Sequence, residues 1–314
     1  MNLNPLAIVL QTALLLALAP LMSGLIKNWK AKLQNRRGPR IWQPYADIIK
    51  FLRKDMVISE HASWVFPVAP YVVFISALVA GLMVPMLTAQ APLSLFGGVL
   101  AVIGLLALGR FFLALGGLDP GSAFGGMGSS REMTIAAIAE PAMMLAIFTV
   151  AIGAGSTDLS HIVQASQGPM WNMLNPTHAM AFVALFIVLL AETGRIPVDN
   201  PATHLELTMI HEAMLLEYSG RYLALMEWGA SIKQLVLMTL LVNVFLPAGI
   251  ATEASPGALA VSAGAFVAKL LVVAAEVVLV ETTNAKLRLF RVPDLLSAAF
   301  VLATLALLST FLFK

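Results

Sequence analysis

Met133-TIAAIAEPAMMLAIFTVAI-Gly153 is a run of 21 residues with one ionisable group, Glu140, and Pro141 beside it. A hydrocarbon core of ~30 Å takes ~20 apolar residues to cross as a helix, so the run has the length of a membrane span. An acid at that depth is expensive and invites a functional reading. Seven comparable stretches surround it: Pro5–Ile26, Pro67–Thr88, Leu93–Gly117, Thr177–Arg195, Ile232–Ile250, Ala258–Glu281 and Asp294–Phe313. Mean hydropathy is +0.87, and 11% charged residues leave no room for a large soluble domain. The expected fold is an all-α integral membrane protein. It is a bundle of about eight transmembrane helices with amphipathic cytoplasmic loop helices, one polytopic domain over residues 1–314.

Charge sets the sidedness. Lys27, Lys30, Lys32, Arg36, Arg37, Arg40, Lys50, Arg53 and Lys54 fall in the first loop. Arg131, Arg195 and Arg221 follow in the third and fifth, and Lys286, Arg288 and Arg291 in the seventh, while the even loops carry no Lys or Arg. By the positive-inside rule the odd loops, near 27–66, 118–132, 196–231 and 282–293, are cytoplasmic and both termini lie on the other side. Ala17 and Ala19 imitate a signal-peptide cleavage motif, but the apolar run is long and the basic cluster follows it, so a retained helix is expected. A net charge of +2 gives no reason to expect nucleic acid. The chain has no cysteine, which excludes disulfides, cysteine-ligated iron–sulfur clusters and the thiolates of a nickel–iron site. Electrons, if any, are carried by a partner.

Gln43–Lys54 reads as an amphipathic surface helix, with Tyr45, Ile48, Ile49 and Leu52 apolar and Asp47, Lys50, Arg53 and Lys54 wet. The loop from Ala154 to Pro176 has room for a short interfacial helix through Leu159, Ile162 and Val163. Ser129-x-x-Glu132 has the form of a capping box that starts the fourth span. Gly116–Gly128 lacks GxGxxG spacing and a preceding strand, so its glycines are read as serving close backbone approach rather than a nucleotide. There is no internal repeat of the transporter kind.

Arg110 falls late in the third span, Glu140 early in the fourth, and Glu192 ends the fifth. Lys233 starts the sixth, and Lys269, Glu276 and Glu281 occupy the inner half of the seventh. The outer half of every span is free of Asp, Glu, Lys and Arg, a pattern that describes a half-channel for protons from the cytoplasm. For Lys233 and Glu281 the plainer reading is snorkelling to the interface. Glu140 is read as functional with Arg110 as its counter-charge. Lys269 and Glu276, seven residues apart, are expected to pair across helices rather than with each other. The fifth loop adds Asp199, His204, Glu206, His211, Glu212 and Glu217. On one helix Glu206, Ile210, Ala213 and Glu217 share a face, and His204, Thr208 and His211 another. Such a group can relay protons, since neighbouring carboxylates raise one another's pKa; a solvated loop balancing the basic first loop explains it equally. His211-Glu212 begins an HExxH motif, but Leu215 stands in the second histidine's place, so no metal is expected.

Several stretches resemble a known family. Arg36-Arg37-Gly38-Pro39 and Ala46-Asp47-Ile48-Ile49-Lys50-Phe51 resemble the first cytoplasmic loop of the membrane subunit shared by respiratory complex I (its subunit 1) and group 4 membrane-bound nickel–iron hydrogenases. Gly117-Leu118-Asp119-Pro120-Gly121-Ser122, Ser130-Arg131-Glu132 and Glu140-Pro141 look closer to the formate hydrogenlyase subunit 4 type. Ala191-Glu192, Arg195-x-Pro197-x-Asp199 and Glu217-Tyr218-Ser219-Gly220 complete the pattern between about Gly24 and Leu289. The resemblance implies an eight-helix subunit in a bacterial or archaeal cytoplasmic (inner) membrane. It would lie between a soluble hydrogenase module and antiporter-like pumping subunits. Positions Glu140, Glu192, Asp199, Glu206 and Glu217 would line an acidic proton path, joined by His204, His211, Glu212, Arg110, Lys269 and Glu276. Arg36, Arg37, Asp47, Lys50 and Arg195 would dock the soluble module. Nickel–iron and iron–sulfur centres would sit in hydrogenase large and small subunits and a ferredoxin-like subunit, with no cofactor, catalytic residue or metal in this chain.

The sequence departs from the family after Asp199, where acids spaced two apart are usual and Ala202, His204 and Glu206 stand here. Three extra residues precede Glu217. Two other functions remain open: a quinone-linked subunit of the complex I kind, or a free-standing proton or cation transporter. A passive anchor, in which the buried acids only shape the bundle, is a third.

Overall fold

The structure, a computed structural model, describes residues 5–94, 98–167, 175–200, 209–252 and 255–312. Among them are eleven α-helices: α1 (Pro5–Leu33), α2 (Gln43–Leu52), α3 (Val65–Met83), α4 (Val99–Leu118), α5 (Ala123–Ala154), α6 (Leu159–Ala165), α7 (Pro176–Glu192), α8 (His211–Leu215), α9 (Gly220–Phe245), α10 (Pro256–Thr283) and α11 (Val292–Leu312). Seven of them (α1, α3, α4, α5, α9, α10 and α11) are long and apolar enough to cross a membrane. The eighth, α7, is apolar but has 17 residues, about 25 Å of helix against a core of about 30 Å. The chain is a multi-pass membrane protein.

Helix α9 is the hub. From Leu235 to Phe245 every side chain is buried, the pattern of a helix enclosed on all sides. Helices α3 and α1 pack on it, α4 and α5 continue from α3, and α7 and α11 complete the far side; α10 lies at the edge against α1 and α9. Short α2 lies across α1 and α9 at the end that carries the basic loops, called the basic end below.

Several boundaries differ from the expectation, each for a local reason. Helix α1 runs on to Leu33, so Lys30 and Lys32 sit in its last turn, where cations suit the helix dipole. Helix α5 begins ten residues before Met133. Ser122 Oγ accepts from Gly125 N at 3.1 Å, so Ser122 is the cap and Ser129 and Glu132 are interior to the helix. Ser129 instead donates to Ala114 O at 2.9 Å. Helix α6 forms where expected, but Leu159, Ile162 and Val163 are fully buried, so it is packed into the bundle rather than lying at the interface. Helix α2 is amphipathic as expected: Ile48 is buried, while Ile49 and Leu52 remain exposed.

Helix α7 stops at Glu192, three residues short of the expected Arg195. The segment 193–199 that follows is non-helical and mostly buried. Backbone of this kind is tolerated at membrane depth only inside protein or beside a water-filled cavity. The fifth loop does not form one continuous helix: Met209 and Ile210 are non-helical and α8 spans only five residues. The paired faces expected from Glu206 and His204 lie outside the described residues.

Close approach explains two of the glycines. A side chain at Gly116 would overlap the hydroxyl of Tyr218, and one at Gly128 would come within 2.9 Å of Ala213 Cβ and Ile210 O. Tyr218 stacks on Phe66 with centroids 4.1 Å apart, which locks the start of α9 against α3. These glycines let the fifth loop fold down onto α4 and α5.

Candidate functional site

The site is assembled around Arg110 on α4, which is 3% exposed. Its guanidinium meets three carboxylates: Glu192 at the end of α7 at 2.5 Å, Glu140 on α5, and Glu132, two turns earlier on α5, at 3.5 Å from Nε. Glu192 also receives Lys233 of α9 at 2.8 Å. Glu132 receives His211 Nδ1 of α8 at 3.1 Å. A fork of five donors suits a shared hub, and a buried carboxylate without a partner would cost several kcal/mol. Glu132, Glu140 and Glu192 set against Arg110 and Lys233 leave one negative charge, which a proton on His211 balances.

His211 lies outside the spans. Burial works against its charged form, but the Glu132 carboxylate, with help from Asp199, outweighs burial and Lys233 and holds its pKa above the ordinary histidine value.

A cavity of about 520 Å³ opens beside α2 and reaches this cluster. Lys27, Asp47, Glu212, Glu227 and Ser231 line its sides, and Glu192, His211 and Lys233 line it where it meets the cluster. The broken segment after α7 borders it through Thr193, Gly194, Arg195 and Asp199, which accounts for the non-helical backbone there. A second buried group adjoins it. Glu281 of α10 takes Lys30 at 3.1 Å and Arg195 at 3.5 Å, and Arg195 donates to Gln234 at 2.8 Å, which also accepts from Ser23 at 3.1 Å.

Set against the expectations, Arg110, Glu140, Glu192 and His211 come together. Asp199 is buried but serves the loop. It holds Lys286 at 2.7 Å and accepts from Ile210 N at 3.1 Å, tying the fifth loop to the seventh. Glu212 lines the cavity, and Glu217 is exposed on the surface, away from the cluster. His204 and Glu206 lie outside the described residues. Arg36, Arg37 and Lys50 are exposed at the basic end, and Asp47 lines the cavity. Arg195 is buried in the Glu281 group, so it is no docking surface.

Further corrections follow. Lys233 and Glu281 do not snorkel; both are ion-paired inside the bundle. Lys269 does pair across helices, but with neutral oxygens: Asn243 Oδ1 at 2.9 Å and Leu246 O at 3.0 Å. Leu246 closes α9 at the end opposite the basic one, so a charge does lie in the outer half of the spans. Glu276 is half-buried and has no ion-pair partner among the described residues. Glu132 is hidden in the sequence by its capping-box pattern. Its spacing of eight from Glu140, about two turns, is the available signal. Among the described residues no group of three His, Asp or Glu is arranged to hold a metal.

A model of the NADH dehydrogenase family matches residues 6–312. The chain is 36% identical to formate hydrogenlyase subunit 4 of Escherichia coli (strain K12), over 96% of this chain and 97% of that one. It is also 36% identical to hydrogenase-4 component C of the same organism, over 94% and 92%. One subunit of the NADH-quinone oxidoreductase of Syntrophotalea carbinolica is 33% identical over 77% of this chain and 76% of its own. A chain of the membrane-bound sulfane sulfur reductase, an archaeal respiratory membrane complex, has the same fold, with a TM-score of 0.84 at 20% identity, over 97% and 98% of the two chains.

Proposed function

The chain belongs to the NADH dehydrogenase family, and on that premise we propose that it is the membrane-anchoring and proton-coupling subunit of a hydrogenase-type redox complex. Its relatives over nearly full length are named as parts of formate hydrogenlyase and hydrogenase-4. In this reading a soluble module docks at the basic end. That module comprises nickel–iron large and small subunits with a ferredoxin-like iron–sulfur subunit. Antiporter-like subunits lie alongside in the cytoplasmic membrane, and both termini lie on the outer side. The electron-carrying centres belong to the partners, since the chain has no cysteine to ligate them.

One observation carries the coupling role: Arg110 joins Glu192, which lines the cavity, to Glu140 of α5, which does not. Charged side chains from α1, α2, α8 and α9 line the cavity, which suits water and protons better than the apolar tail of a quinone. Cavity water delivers a proton to Glu192 or His211, and movement of the Arg110 guanidinium between its three carboxylates decides which of them is free to accept it. Any change the docked module makes at α2 or α8 is thereby felt at mid-membrane.

Docking is tested by charge reversal. Arg36 and Arg37 are exposed on the turn after α1, with Trp42 and Trp64 also exposed at this end, and arginine and tryptophan are favoured interface anchors. The Arg36→Glu, Arg37→Glu double variant should release the hydrogenase activity from washed membranes while the membrane chain stays folded. Full retention of that activity on the membranes contradicts the proposed docking surface.

A further inference from the structure

Glu192 owes its place to the residues just after it, because α7 stops there and the chain turns. The turn closes as a helix cap. Gly194 has φ +58°, the left-handed conformation that favours glycine. Gly194 N donates to Ala191 O at 3.1 Å and Arg195 N to Leu190 O at 2.8 Å, the two bonds of a Schellman cap. The Arg195 carbonyl then accepts from Val198 N at 2.8 Å and Asp199 N at 3.1 Å. One residue's backbone therefore holds both the end of α7 and the start of the broken segment. Its side chain, buried in the bundle, fixes that backbone. The guanidinium donates to Gln234 of α9 at 2.8 Å and pairs with Glu281 of α10 at 3.5 Å. Gln234 follows Lys233, whose ammonium meets Glu192 at 2.8 Å. Arg195 thus ties the end of α7 to the stretch of α9 that carries the partner of Glu192.

We infer that Arg195, steadied by Glu281, is the positioning residue of the proton site: it takes no proton itself and sets how Glu192 meets Lys233, Arg110 and the cavity. The inference rests on the coupling role proposed above and deepens it. Arginine suits the task because its flat fork stays charged and holds acceptors on two helices at once. Removing it does not strip the bundle of balance. Glu281 keeps Lys30 of α1 at 3.1 Å, so no buried acid is left without a cation. The far end of the broken segment also stays pinned, by Leu287 N on Pro197 O at 2.9 Å and by Lys286 on Asp199 at 2.7 Å. What loosens is the end beside Glu192.

The test is Arg195→Met in vesicles holding the assembled complex. Proton uptake per turnover should fall by about 10- to 100-fold, the scale of a ~1 Å misplacement at a reacting group. The pH midpoint of the remaining uptake should also move by about one unit or more, the effect of altering one opposite-charge contact. The groups that set that midpoint are Arg110 of α4 and Lys233 of α9 on Glu192 itself, with Glu132 and Glu140 of α5 and His211 of α8 in the same cluster. Unchanged uptake overturns the inference. So does lower uptake with an unmoved midpoint, the mark of a residue that only holds the bundle together. Should Arg195→Met fail to assemble, Gly194→Ala strains the same cap while its new carbon comes no nearer than 3.6 Å to His211, and it is judged by the same two readouts. The coupling role is judged separately, by Glu192→Gln: intact uptake there fails that role, whereas collapse there with an unmoved midpoint in Arg195→Met fails the positioning alone.

Discussion

Arg110 and Lys269 are both cations held inside the bundle, in opposite surroundings. Arg110 touches three carboxylates from two helices and stands one bond away from Lys233 and His211. Lys269 meets only an amide oxygen and the last carbonyl of α9, with Asn243 held in turn by the carbonyls of Pro85 at 2.8 Å and Met86 at 3.1 Å. A cation at a helix C-terminus is favoured by the dipole, and neutral oxygens can hold it as a latch between α3, α9 and α10. The first arrangement has alternative partners and the second has none. In the proposed reading proton handling belongs to the basic end, and Lys269 at the opposite end serves architecture.

Removing each cation sharpens that contrast. Arg110→Leu leaves three carboxylates together in the bundle and should cost on the order of 3–5 kcal/mol. The measurement is the unfolding midpoint of the purified complex, and a shift no larger than that of Lys269→Met would erase the distinction. Lys269→Met strands two neutral oxygens, Asn243 Oδ1 and the Leu246 carbonyl, and should cost about 1–3 kcal/mol with proton uptake intact. Loss of uptake in that variant would make the opposite end a working part of the path.

A smaller effect is expected from pH. His211 faces Glu132 on α5, Arg110 on α4, Lys233 on α9 and Asp199 in the loop, and its folded pKa is raised. A raised value means that the His211–Glu132 contact contributes fully below the unfolded histidine pKa and is lost as pH rises through the folded one. The stability difference between the wild type and His211→Gln should therefore shrink as pH climbs from about 6 to 9. A difference that grows over that range would contradict the assignment. The least perturbing check is topological. Thiols placed at exposed Asn35 and part-exposed Ser166, on turns at opposite ends of the bundle, should be labelled from opposite sides of the membrane, Asn35 from the cytoplasm.

The spans are readable because apolar length is a property of consecutive residues; even α7, too short by geometry, announces itself by composition. The ends of α5 and α7 are not, because what decides them lies elsewhere in the chain. The polar start of α5 is covered by Ala213 and Met214, and the broken segment after α7 is bordered by the cavity. The same holds in the site. Depth alone pairs Arg110 with Glu140. Lys233 and Glu281 look like snorkelling residues in the sequence because their partners, Glu192 and Lys30, come from helices distant along the chain. Glu132 carries a misleading local pattern whose serine is engaged with Ala114.

The central claim is that Glu192 carries protons between the cavity and the Arg110 cluster. Replacing it by glutamine keeps its shape and much of its hydrogen bonding while removing the proton-binding site. Proton uptake per turnover, measured in vesicles holding the assembled complex, should collapse in Glu192→Gln and fall less in Glu140→Gln, while assembly and uncoupled turnover persist. Wild-type uptake in both single variants and in the double variant would contradict the account and leave the buried acids with a purely structural role.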